Sequence, residues 1–256
     1  LASLLLHPAP QPRSRLAAWL ALPDLPSALQ LLQQARAELG DGLSGFEVMG
    51  RASLELLDSL PLPASSWALL VELSSQREEA QAGAELEAWL AGALARGLVL
   101  DAVLAHNQAQ AQALWALREA IPAAQARAGS NLKHDIALPL QHIAAFVAEC
   151  EARIARAFPG ARPVVFGHLG DGNLHFNIAP PAGQSLAEFR HCEPGLNALV
   201  FDCVAEFGGS FSAEHGIGRL RRAELAQRLD PVALGLMRRV KQALDPANRL
   251  NPGRVL

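Results

Sequence analysis

A chain of 256 residues, half of them hydrophobic, has material for one large domain or two small ones. Its net charge of -3, with 22 Lys and Arg scattered along the chain, speaks against a nucleic-acid partner, and no apolar run approaches the roughly 18 residues of a membrane span. Three cysteines, odd in number and without metal-ligand spacing, fit a reduced, cytoplasmic interior better than a disulfide framework.

The run Leu1 to Leu6 is too short for a signal peptide and lacks its basic start. It reads as a strand, Ala2–Leu6, entered in mid-protein, so an N-terminal portion is expected to be missing. Further strands are expected at Leu43–Met49, Trp67–Leu73, Val99–Leu104, Lys133–Leu138, Val164–His168 and Leu174–Ala179. Helical patterns fall between them, at Ser27–Leu39, Gln76–Arg96, Gln108–Arg127, Gln141–Ala157 and Ser185–Phe207. Proline costs roughly 3 kcal/mol inside a helix, so the Ser185–Phe207 helix is expected to break at Pro194-Gly195. A last helix takes Asp230 as N-cap and Pro231 in its first turn, and runs to about Leu244.

Strands alternating with helices could build a parallel sheet. The Leu174 strand, however, follows Val164–His168 after a short Gly-Asp-Gly-Asn turn, which requires an antiparallel pair. The expected fold is therefore α+β, an antiparallel sheet with helices packed on one face. Residues 1–180 should supply most of that core, and residues 181–256 a mainly helical segment.

Gly40-Asp41-Gly42-Leu43-Ser44-Gly45 matches the dinucleotide pattern G-x-G-x-x-G. That chemistry needs the glycines to follow a strand and open a helix, so that the helix N-terminus meets a pyrophosphate. Here they follow a helix and open a strand, and the segment reads as a helix stop.

Three segments carry candidate chemistry. In GHLGDGNLHFN, a hairpin turn of Gly, Asp and Asn lets His168 and His175 approach one another. Two imidazoles suit zinc, manganese or iron(II), but two ligands do not close a site; the alternative is a turn with two surface histidines. In GGSFSAEHGIGR, Glu214 could add a carboxylate ligand, and His215 could serve as a base near neutral pH. The alternative is a helix-joining loop with incidental charge. In LWALREAIPAAQARAGSNLKHDIALPL, Arg118 and Lys133 could bind a carboxylate, or could simply be solvated.

Taken together, LWALRE, KHDIALP, GHLGDGNLHFN, GGSFSAEHGIGR and LNPGRVL, with SGFEVMG and WALLVELS before them, resemble the C-terminal domain of the FAD-linked oxidase family. Its members include D-lactate and D-2-hydroxyglutarate dehydrogenases and the flavin subunit of glycolate oxidase. The resemblance implies a ferredoxin-like sheet and a metal bound by His168, His175 and Glu214, usually zinc or a similar divalent ion. It also implies His215 as catalytic base close to the flavin, and substrate contacts from Arg118, Lys133 and Asn177. Asn251, with Pro252 and Gly253, resembles the segment that folds back towards the flavin domain. The implied reaction is FAD-dependent oxidation of a D-2-hydroxy acid. Most of the FAD is held by an N-terminal domain absent from these residues, so the chain alone should be inactive. The implied setting is cytoplasmic, peripheral to a membrane through an unidentified electron acceptor, and a homodimer is compatible with it.

One departure concerns substrate: where D-2-hydroxyglutarate enzymes tend to carry a Thr four residues after the arginine, this chain has Pro122. Two rival readings remain: a flavin oxidase of another alcohol with the cluster vacant, and a non-catalytic metal-binding or interface module docking on a separate flavoprotein.

Overall fold

The computed structural model describes residues 11–63, 65–129 and 131–256. The chain divides into two compact units, one ending at Phe211 and a second spanning Ser212 to Leu256. The proposed strand Ala2–Leu6 lies outside the described residues.

The first unit is built on a seven-stranded sheet: β1 (Ser14–Leu22), β2 (Leu43–Gly50), β3 (Trp67–Ser75), β4 (Asp101–Leu104), β5 (Asp135–Ala137), β6 (Arg162–His168) and β7 (Asn173–Ala179). Its order is β4-β1-β3-β2-β6-β7-β5, and every neighbouring pair is antiparallel. The helices of this unit are α1 (Leu25–Glu38), α2 (Arg51–Leu54), α3 (Glu79–Ala95), α4 (Gln108–Arg127), α5 (Ile143–Ala157), α6 (Leu186–Phe189) and α7 (Glu193–Glu206). The second unit contains α8 (Arg222–Arg228) and α9 (Pro231–Leu244).

Successive residues of a strand face opposite sides, and each side here has its own apolar cluster. Leu20, Leu69, Val71 and Phe176 pack with Leu31 of α1, Leu86 of α3, Phe146 of α5 and Val200 of α7. Phe146 meets Phe176 edge-on at 5.4 Å. A buried side chain of this size contributes about 1.5–3 kcal/mol. This is the helix-covered face that the expected α+β class requires. The second side is also partly covered: Trp19, Met49, Leu70 and Phe166 cluster with Leu54 of α2 and Leu114 and Ile121 of α4. The apolar stripe of α4 packs on this second face beside α2.

β1 was not among the expected strands. It is buried on both faces along almost its whole length, so LAAWLAL shows no polar alternation. Three alanines further dilute its strand character.

The Ser185–Phe207 region is interrupted, but upstream of the expected break. Ser185 caps α6 in a reciprocal box with Glu188, a short turn follows at Arg190–Cys192, and Pro194 lies in the first turn of α7. A first-turn proline has no helical partner to lose, so Pro194 starts a helix and does not break one. α7 packs on the sheet, which carries the first unit past residue 180 to Phe211. The Gly40 segment stops a helix: α1 ends at Glu38, Gly40 takes φ +56°, and β2 begins at Leu43. In the second unit, Asp230 caps α9 by accepting from the amides of Val232 and Ala233.

Candidate metal and substrate site

The α4 side of the sheet changes character along its width. At the β1–β3 end it is apolar; towards β5 the same parity of positions is polar. β2 turns Phe46 and Val48 to the first cluster and Glu47 to the α4 side. β7 turns Leu174, Phe176 and Ile178 to the first cluster, which leaves Asn173, His175 and Asn177 on the other side. β5 does the same with Ile136 and Asp135.

The register then aligns them. Glu47 lies opposite His168, Phe166 opposite His175, and Asp135 opposite His175. The turn between β6 and β7 depends on Gly172 at φ +72°, where a Cβ would sit 2.4 Å from the Leu138 carbonyl oxygen. No other residue fits there.

Glu47 is the hub. Only 4% exposed, it accepts from His168 Nδ1 at 2.6 Å on one oxygen and from Arg118 Nε at 2.9 Å on the other. An ionised carboxylate can only accept, so His168 carries its proton on Nδ1. Burial pushes the Glu47 carboxyl up, but the bond to His168 and the charges of Arg118 and His168 outweigh it and hold the group below the usual carboxylate range. Arg118 itself lies over the Phe166 ring, 5.1 Å from its centroid, and is buried. The His168 and His175 rings face edge to face at 5.6 Å, and the Asp135 carboxylate lies 3.7 Å from His175 Nδ1. An imidazole bonded to a carboxylate, as His168 is to Glu47, is the usual surrounding of a histidine metal ligand. A cavity of about 610 Å³ opens beside Glu47 and His168, lined also by Ser44, Trp115, Arg36 and Asp171.

The fold thus brings His168, His175 and Arg118 together. Asn177 shares their face but is buried in a network of its own: its amide donates to Gln125 and accepts from the His134 N–H. Lys133 is exposed and lies two residues before β5, where the expected strand had it at the start. In the second unit, Glu214 and His215 are exposed in the loop before Gly216 and Gly218, both at positive φ. Asn251 is exposed, with φ +49°. Pro122 sits inside α4 and removes the N–H that would bond the Arg118 carbonyl.

Sequence reasoning passed over Glu47 and Asp135. The only trace of Glu47 is a lone carboxylate in the apolar run Phe46–Met49, and its partners are 71 and 121 residues away. Asp245 was passed over as well. It binds the Lys241 ammonium and the amides of Arg249 and Leu250, which lower its carboxyl to about 2.

The fold is thus an antiparallel α+β sheet that carries a histidine and carboxylate cluster on one face. The chain matches the family described as FAD linked oxidases, C-terminal domain, over residues 11–255, and belongs to it. It is 36% identical to the mitochondrial D-2-hydroxyglutarate dehydrogenase of Arabidopsis thaliana, over 93% of this chain and 42% of that protein. It is 35% identical to the D-2-hydroxyglutarate dehydrogenase of Xanthomonas citri pv. viticola, over 92% of this chain and 50% of that protein. The chain therefore spans about half the length of these curated relatives. Among solved structures, a 4-ethylphenol oxidase from Gulosibacter chungangensis (TM-score 0.63, 14% identity, 96% of this chain and 54% of the other) shares the fold. So does a p-cresol methylhydroxylase, with TM-score 0.62, 14% identity, and 96% and 53% coverage. No helix among the described residues is long and apolar enough to cross a membrane.

Proposed function

We propose that this chain is the substrate-side domain of an FAD-dependent D-2-hydroxy-acid dehydrogenase. The observation that carries the reading is the facing His168 and His175 pair, the first bonded to Glu47, the second near the Asp135 carboxylate, and both beside the buried Arg118. Family membership supports the flavin, and the names of the curated relatives support a D-2-hydroxy acid as substrate.

On this reading His168, His175 and Glu214 hold a divalent cation, zinc being the first choice for two imidazoles and a carboxylate. When bound, the cation supplies Lewis acidity to the substrate hydroxyl, and the flavin accepts the hydride. The chain's own residues do the remaining work. His215 takes the hydroxyl proton, and an imidazole is matched to that task near neutral pH. Arg118 offers its terminal nitrogens to the substrate carboxylate while Nε stays on Glu47. Lys133 adds a second cation and Asn177 a remaining amide hydrogen, which fixes the substrate in one orientation. His215 and Asn251 face the flavin. An N-terminal FAD-binding domain is the partner this reading requires, with a cytoplasmic setting and a separate electron acceptor.

D-2-hydroxyglutarate is the first substrate to try, because the relatives carry its name. Pro122 offers no hydroxyl at the position four residues after Arg118, which counts against a second-carboxylate contact from that turn of α4. The test is anaerobic reduction of the flavin in the full-length protein by D-2-hydroxyglutarate, D-lactate and glycolate. One of them should bleach the flavin, and chelation should abolish the effect. His215→Ala should lower turnover about 10²–10⁴-fold with metal content unchanged. Full turnover in that variant, or after complete metal removal, would overturn the reading.

A further inference from the structure

We propose that Glu47 is a shared positioning residue, one carboxylate that orients both the metal-binding His168 and the substrate-binding Arg118. The inference rests on the metal and substrate roles proposed above.

The geometry is specific. His168 and Arg118 bond different oxygens of the same carboxylate, at 2.6 and 2.9 Å. Rotating the group to improve one bond weakens the other, so the two partners are held in a fixed relation. The backbone fixes the carboxylate itself, because β2 and β6 pair with Glu47 opposite His168. Burial of Glu47 and Arg118 keeps water from replacing the bond between them. The Nδ1–H donated to Glu47 makes Nε2 the ligating nitrogen of His168 and raises its basicity. The Nε–H donated by Arg118, with Phe166 under its plane, turns the far edge of the guanidinium to the substrate. A single side chain thereby sets the distance between the bound cation and the carboxylate anchor, on which the placement of C2 depends.

Glutamine in its place offers one acceptor and one donor; the guanidinium can only donate, so the amide oxygen stays with Arg118 and the NH2 faces His168, which loses its acceptor. The experiment strips metal from the full-length flavin-containing protein and titrates Zn²⁺ against a chromophoric chelator, with circular dichroism reporting the fold. Glu47→Gln should bind Zn²⁺ about 10–100-fold more weakly and show a raised KM for the hydroxy acid. Arg118→Met should raise KM and leave Zn²⁺ affinity unchanged, because His168 keeps its carboxylate. The double variant Glu47→Leu with Arg118→Met removes the acceptor together with the cation that its loss would leave unpaired, and carries the test should the single variant fail to fold. It should show the weakened Zn²⁺ binding. Parental Zn²⁺ affinity in folded Glu47→Gln or in the double variant would overturn the inference and leave the proposed function standing. So would an equal loss of Zn²⁺ affinity in Arg118→Met. Failure of the parent to bind Zn²⁺ would remove both.

Discussion

The two faces of one sheet do different jobs in this protein. On the face covered by α1, α3, α5 and α7, Phe176, Phe146, Leu69 and Val200 are fully buried and apolar. On the α4 face, β2, β6 and β7, which give Val48, Val165 and Phe176 to the first cluster, present Glu47, His168, His175 and Asn177. Strand pleating makes this division possible: one residue of shift along β7 separates the packing side chain Phe176 from the site side chains on either side of it. The lesson is that stability and chemistry can be assigned by parity in the four strands from β2 to β5 of the sheet order. At the β1–β3 end they cannot, because both faces are core.

Substitutions at adjacent positions of β7 can break this division. Phe176→Ala should cost about 3–5 kcal/mol of stability, read by urea denaturation, and leave metal affinity unchanged under conditions where the protein is folded. Loss of metal binding without loss of stability would mean the faces are not separate. Asn177→Ala should cost about 1–3 kcal/mol, because the buried Gln125 side chain and the His134 amide each lose a partner. A raised KM in the same variant would place Asn177 at the substrate, whereas an unchanged KM would confine it to the network beneath.

The smallest effect concerns a carboxylate held without the sheet. In the second unit Asp245 is lowered to about 2, by Lys241 first and then by the Arg249 and Leu250 amides. An unfolded aspartate titrates at about 3.9. Its contribution should therefore be complete above pH 4 and fade as the pH falls towards 2. Exchange protection of the Leu250 amide should follow that window, and Asp245→Asn should remove the pH dependence. Protection unchanged down to pH 2 in the parent protein would show that other contacts hold the C-terminal segment.

The sequence made legible those features whose cause is local. The β6–β7 turn, the N-cap of α9 and the helix stop at Gly40 are each written in a few adjacent residues, and the structure places each as expected. His168 and His175 were found because their hairpin brings them together within one motif. Glu47 escaped notice because its meaning comes from pairing with β6, more than a hundred residues on. The second cover of the sheet by α4 was missed for a related reason. An amphipathic helix declares that it has a buried side, but which surface it covers is decided by the topology.

The outer strands of the sheet, β4 and β5, have a further consequence. They are only four and three residues long, and Ala137 of β5 already exchanges backbone bonds with Ser210. A sheet exposes its unpaired amides and carbonyls only along its borders, and long flat borders recruit foreign strands. Here the most apolar strand, β1, lies inside the sheet between β4 and β3. Among the described residues the sheet borders therefore give little purchase to cross-chain strand addition. Vulnerability to aggregation should instead fall in the interval before β1 finds β3, whose residues lie some fifty positions further along the chain.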